Sequence, residues 1–235
     1  MIDCTPQLRA IRDQGHRGTC VAFAVTAAHE HARTVRRGAL ADDLSVELLF
    51  WRAKQLDGLA GDGTKFGAAR HALRDPGQCD EARWPYQPLP VPPAGYNPPA
   101  AALEVGNLKH ATMTSIGIDT VTITGALAAP RTVVGGIRLW GGFYDCESAT
   151  VAPPADDVDP SALHAVCLAG IDQERGTVLV RNSWGPRWGH GGYAWLELRA
   201  LDEVLLEAWV VHDDIDSECP RGVGPRLCRQ GDLRC

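Results

Sequence analysis

Asn182-Ser183-Trp184-Gly185-Pro186-Arg187-Trp188-Gly189-His190-Gly191-Gly192-Tyr193 sets a side-chain amide, two tryptophans and four glycines within twelve residues. Short runs of β-branched and aromatic residues flank it, Thr177 to Asn182 before and Tyr193 to Leu198 after. Thr132 to Trp140, His164 to Asp172 and Ala208 to His212 share that character, and Gly, Asp or Pro separates these runs. Such runs predict an antiparallel, barrel-like sheet in the second half of the chain. Asp145 to Ser161, with Pro153, Pro154, Pro160 and five acidic residues, reads as a solvated loop just before His164.

The first hundred residues read as helical. Cys20 to Arg37 is dense in Ala, has Val21, Phe23, Val25 and Ala28 for apolar faces, carries Arg33, Arg36 and Arg37 in its last turns and stops at Gly38. It predicts a helix buried along much of its length. Ser45 to Leu56 predicts a second helix, with Val46, Leu48, Leu49, Phe50 and Leu56 over polar Glu47, Arg52 and Lys54. Thr64 to Leu73 predicts a third, N-capped by Thr64. Trp84 to Pro99 holds seven prolines, so it runs as an extended or turning connection between two lobes.

Three blocks carry reactive side chains: Gln14-Gly15-His16-Arg17-Gly18-Thr19-Cys20, Leu163-His164-Ala165-Val166, and the stretch from Asn182. In that order they resemble the active-site blocks of the papain-like cysteine peptidases. Leu44-Ser45-Val46-Glu47-Leu48 resembles the family's L-S-x-Q/E-x-L helix start, and Asp80-Glu81-Ala82-Arg83-Trp84-Pro85-Tyr86 resembles its Y-P-Y turn. Gly61-Asp62-Gly63-Thr64 falls where the family places a Gly-rich strand that pairs with the substrate backbone. The resemblance covers Pro6 to His212 and is closest to bacterial members lacking a long pro-segment. It implies an α+β, two-lobed papain-like fold within residues 1–212, with a helical lobe at about 14–100, a β-barrel-like lobe at about 101–212 and the active site in the cleft between them. Residues 213–235 form a Cys-containing tail outside it.

The resemblance assigns catalytic roles to Cys20, His164, Asn182 and Gln14, and each has a physical reason. Cys20 opens a helix, whose positive end and a neighbouring imidazolium favour thiolate over a free thiol of pKa near ~8.5. The family sets its His and Asn roughly 130–150 residues after the Cys. Here His164 follows by 144, and Asn182 by 162, an excess that the long acidic loop absorbs. Asn182 can accept from one imidazole nitrogen and turn the other toward sulfur. Gln14, on a Gly-containing turn, can pair its side-chain N–H with the Cys20 backbone N–H to hold an oxyanion.

By resemblance Trp184 covers the His–Asn hydrogen bond, Trp188 lines the leaving-group side, and Asp62, Gly63, Gly136, Leu163 and Ala165 contact substrate, with Gly135 the alternative to Gly136. The lining around the last three shows no charge, so the expected preference is for a bulky apolar side chain. Where many members have C-G-S-C-W, this chain has Arg17-Gly18-Thr19-Cys20-Val21: the usual disulfide cysteine is absent and Val replaces the aromatic. Leu163 stands where Asp or Gly is frequent.

With 235 residues, 45% of them hydrophobic, the chain can bury a substantial core. Its net charge of −6 argues against nucleic acid as a partner. The N-terminus has no apolar signal segment and no run has membrane length, which reads as no membrane and a cytoplasmic chain, a delivered form remaining open. Beyond Cys20, the cysteines Cys4, Cys79, Cys146, Cys167, Cys219, Cys228 and Cys235 form an odd set. The tail spacing lacks paired zinc knuckles, so a partly disulfide-tied tail is favoured over a metal site. His29 and His31 lack the i, i+4 spacing of a zinc motif and read as helix-face residues. The expected activity is that of a cysteine peptidase acting on peptide or protein substrates through a thiolate/imidazolium pair and a thioester, with no metal and no cofactor. The alternatives are a transpeptidase or amidase on the same triad, and a silent binding module of the same fold.

Overall fold

The structure, a computed structural model, describes residues 1–89 and 95–213. The chain runs β1 (Ile2–Asp3), α1 (Cys20–Arg37), α2 (Val46–Lys54), α3 (Phe66–Arg74), α4 (Ala100–Leu103), β2 (Thr112–Ile116), α5 (Thr120–Ala128), β3 (Val133–Leu139), α6 (Gly141–Tyr144), β4 (Asp159–Asp172), β5 (Thr177–Arg181), β6 (Tyr193–Glu197), α7 (Leu198–Val204) and β7 (Leu205–His212). Helices dominate the first hundred residues and antiparallel strands the rest. This is an α+β fold, the class that the resemblance implies.

Helix α1 forms where the sequence places it. Gly38 ends it in the left-handed region, φ 66°, with its N–H bonded to Thr34 O, and Arg36 and Arg37 lie at the negative end of the dipole. Val21, Phe23, Val25 and Ala28 are buried in a core that also takes Val46 and Leu49 of α2 and Phe66 and Leu73 of α3. Burying each of the larger side chains contributes about 1.5–3 kcal/mol. Ser45 caps α2 by accepting from the Leu48 N–H. For α3 the cap expectation is corrected: Lys65, not Thr64, is the N-cap, and its side chain makes no capping bond.

The sheet has the order β2-β7-β3-β4-β5-β6, with β1 added to β4. Strand β4 is the longest and pairs with β3, β5 and β1, which makes it the axis of this half. Its first five residues are partly or fully exposed and burial begins at His164, so that residue sits where the strand enters the sheet. A second core of Ile137, Phe143, Leu168, Val180 and Leu196 fills the sheet's other side.

The stretch at 182–193 crosses from β5 to β6 through glycines 185, 189, 191 and 192, all at positive φ. A Cβ on Gly189 would lie 2.3 Å from Tyr193 O, so this crossing needs glycine there. His29 and His31, read as helix-face residues, lie on α1 and are buried, as is Glu30. The partners of His29 and Glu30 come from other segments: His29 Nδ1 meets Gln78 Oε1 at 2.9 Å, and Glu30 accepts from Arg12 at 2.9 Å and from the Leu44 N–H at 2.8 Å. Cys219, Cys228 and Cys235 lie outside the described residues. Among the described residues no helix is long and apolar enough to cross a membrane.

Candidate active site

Cys20 is the first residue of α1, half-buried, at the positive end of an eighteen-residue helix. Burial pushes its thiol up, while the backbone amides of Ala165, Val21 and Cys20 itself pull it down. The Ala165 amide belongs to the residue after His164, so β4 passes the Cys20 thiol one residue from the imidazole. His164 and Cys20 line one pocket.

His164 Nε2 lies 2.8 Å from Asn182 Oδ1, and that oxygen also accepts the Ser183 N–H at 2.8 Å. Because Oδ1 is the acceptor for a backbone N–H, it is the carbonyl oxygen of the amide, and Nε2 is the nitrogen that carries hydrogen. Nδ1 keeps its lone pair for a proton. Burial holds His164 down at about 4, against the Asn182 bond, which raises it. The ring is enclosed by aromatics: Trp184 at 4.7 Å and Phe143 at 5.9 Å between centroids, with Tyr144 stacked on the Trp184 ring at 5.6 Å.

Gln14 is buried and tied on both sides of its amide. Its Nε2 donates to Arg17 O at 2.8 Å and its Oε1 accepts from Ser183 Oγ at 2.7 Å. An amide nitrogen has two hydrogens, so one remains for an oxygen brought to Cys20. The Gln14 N–H also bonds Ser183 O at 2.8 Å, which couples the thiol's loop to the segment carrying Asn182.

Beside Cys20 and His164 opens a pocket of about 320 Å³. Asp62, Gly63, Gly136, Leu163 and Ala165 all line it. The register pairs Gly136 with Ala165, and a Cβ on Gly136 would stand 2.9 Å from Phe66 Cε2, whereas one on Gly135 would meet Leu205 Cδ1 at 3.0 Å. Of the two candidate glycines, Gly136 faces the pocket.

Residues 3–210 match the family described as papain family cysteine protease. The chain belongs to that family. An uncharacterized peptidase C1-like protein of Acanthamoeba polyphaga mimivirus is 25% identical over 227 residues, covering 90% of this chain and 72% of the viral protein. Pro-cathepsin H of Mus musculus is 26% identical over 193 residues, covering 80% of this chain and 56% of its own length, so this chain spans little more than half of that relative. Xylellain, a cysteine protease from Xylella fastidiosa, superposes with a TM-score of 0.81 at 23% identity over 90% of this chain and 85% of xylellain. A cysteine protease of Carica candamarcensis does so at 0.68 and 20% identity, over 90% and 97%. At those identities the superpositions speak for the fold.

Two expectations for this papain-family site need correction. Trp188 is only 5% exposed, its indole N–H bonds Phe143 O at 2.8 Å, and it packs behind Trp184 at 6.4 Å. It supports that ring from the core and has almost no surface to offer a leaving group. The pocket is also not free of charge, because Glu207 and Lys65 line it; both are exposed, and Glu207 Oε2 accepts from Trp209 Nε1 at 3.2 Å. Sequence reasoning missed Phe143, whose ring touches His164, Trp184 and Trp188. Its only local signal was an aromatic pair, Phe143-Tyr144, just before the acidic loop.

Proposed function

We propose that this chain is a cysteine peptidase that hydrolyses peptide bonds through an acyl-enzyme. The observation that carries the reading is the orientation of His164: Nε2 is engaged by Asn182 Oδ1, so Nδ1 is left for the pocket that holds Cys20. Dry surroundings disfavour a lone thiolate and a lone imidazolium alike. Moving the thiol proton to Nδ1 creates both charges in contact, at the positive end of α1, and their attraction offsets that cost.

The thiolate then adds to an amide carbonyl. The resulting oxyanion accepts hydrogen bonds from the free Gln14 Nε2–H and the Cys20 N–H. The tetrahedral adduct collapses to a thioester as the C–N bond breaks, and the Nδ1 proton leaves with the amine. Water adds to the thioester with His164 as base, the C–S bond breaks, the carboxylic acid product is released and the free thiol is regenerated. Asn182 fixes the ring through both half-reactions, and the Trp184 and Phe143 rings exclude water from its Nε2 side.

Cleavage of a diverse peptide library, with products identified by mass, tests this. New amino and carboxyl termini should form with the parent chain and not with Cys20→Ala. Amide side-chain hydrolysis or peptide joining in place of backbone hydrolysis would replace this reading with an amidase or a transpeptidase.

A further inference from the structure

Two loops converge on the first turn of α1, and among the described residues every cysteine is a free thiol, so no disulfide braces either. The first is 14–19. Its central residue, Arg17, stands where the family resemblance placed the missing cysteine, and its guanidinium forms a two-pronged pair with Glu47 at 2.7 and 2.9 Å. Glu47 has no exposed surface. Arg17 also donates to Gln87 O at 2.8 Å, and it lies between the Phe50 and Tyr86 rings, 5.2 Å from each centroid. A fork held on three sides cannot turn, and the Arg17 carbonyl on the same residue accepts the Gln14 amide.

The second loop, 57–64, wraps the Lys54 ammonium. Nζ lies 3.0 Å from Leu59 O, 2.9 Å from Gly61 O and 2.9 Å from Gly63 O, and 3.0 Å from the buried Asp57 carboxylate. One cation thus gathers three alternate carbonyls of a loop that has no strand or helix of its own. Asp62 and Gly63 of this loop line the pocket, and Asp62 Oδ2 accepts the Gly18 N–H at 2.9 Å, which links the two loops. A Cβ on Gly18 would fall 1.6 Å from Asp62 O, so the loops touch backbone to backbone.

We propose that Arg17 and Lys54 are positioning residues with separate kinetic roles: Arg17, locked by Glu47, aims the Gln14 amide at the oxyanion, and Lys54 shapes the Asp62-Gly63 wall that receives substrate. The proposal rests on the peptidase reading for its kinetic half, while its structural half stands on the loops alone. Both cations act through backbone they hold, without touching the reacting atoms.

The test pairs amide hydrogen exchange with kinetics in two charge-neutral double variants, Arg17→Met with Glu47→Leu and Lys54→Met with Asp57→Asn. The first should speed exchange in 14–19, lower kcat by about 10²-fold and leave KM within about 3-fold, as for loss of an oxyanion donor. Adding Gln14→Ala to it should cost less than about 3-fold more, because the two act as one unit. The second should speed exchange in 58–63 and raise KM by about 10-fold at little-changed kcat. If the first double variant does not fold, Arg17→Lys, which keeps the charge and loses the fork, should show the same kcat-selective pattern in weaker form. Unchanged exchange in both loops overturns the bracing. A full cost of Gln14→Ala in the Arg17/Glu47 background, or the same kcat and KM pattern from both double variants, overturns the division of roles. Parent protein that cleaves no peptide, with exchange responding as described, overturns the peptidase reading and leaves the bracing in place.

Discussion

Cys20 and His164 meet in one pocket but are held by opposite physical means. The segment leading to Cys20 is fixed by charged and polar groups: Arg17 on Glu47, Ser183 on Gln14, and Tyr86 Oη, which donates to Gln14 O at 2.8 Å and lies 2.7 Å from Thr19 Oγ1. His164 is held by packing, with Trp184 and Phe143 against the ring and a single side-chain hydrogen bond to Asn182. Under the proposed mechanism the difference follows from the task. An oxyanion site must leave an unspent donor facing outward, so its loop is fixed from behind by directional bonds. A base must keep one nitrogen dry and the other free, which a wall of rings with one acceptor provides.

The largest break in this comparison comes from removing either partner. Cys20→Ala and His164→Ala should each lower turnover by on the order of 10⁴ or more, since nucleophile and base act as a unit. Single-turnover cleavage measures the loss, and a thermal melt should show both variants folded. Survival of activity in Cys20→Ala would reject the mechanism. Removing only the outward donor is milder: Gln14→Ala should cost about 10²–10³ in kcat with little change in KM. An effect confined to KM would reassign Gln14 to substrate positioning.

Dry packing around an imidazole also has a stability signature. Burial pushes His31 down to about 4, as it does His164. Between that value and about 6.5 the unfolded chain binds a proton that the folded chain refuses, so stability is complete above that window and is lost as pH falls through it, by about 3 kcal/mol for His31. His31→Phe should therefore flatten the fall in melting temperature between pH 6.5 and 4. An equal fall in variant and parent would show that His31 does not drive the acid loss.

The smallest expected effect sharpens the pocket. Gly136→Leu sends a side chain toward Phe66, and it should move the preference of the adjoining pocket toward smaller side chains by about 1–3 kcal/mol of discrimination. Library cleavage profiles of the two proteins provide the comparison. An unshifted profile would separate Gly136 from specificity.

What the sequence determined by itself is what neighbours along the chain decide. An alanine-dense run ending in basic residues and Gly38 specifies α1 from Cys20 to Arg37. Short β-branched and aromatic runs specify β3 to β7, and the glycines of the 182–193 stretch specify its turns. The thiol, imidazole and two amides were singled out because their order along the chain resembles the active-site blocks of the family. Strands β1 and β2 and helices α4 to α7 escaped that reading. Strand β2, Thr112–Ile116, is formed by pairing with β7, nearly a hundred residues on. Helix α5, Thr120–Ala128, opens on β-branched residues that disfavour helix, and it stands on an Asp119 cap and the burial of Ile123 and Leu127.

Only the tertiary structure decided who meets whom. It set Gly136 rather than Gly135 toward the pocket, because the side of a strand that faces a cleft is fixed by register. It brought polar partners for the buried His29 and Glu30 of α1 from distant segments. It turned Trp188 inward, carried Glu207 into the pocket lining, and gave Arg17 a buried carboxylate thirty residues away. Local patterning reports contacts two to four residues apart, whereas these pairings span tens to hundreds, and they exist only once the sheet and α1 have closed on each other.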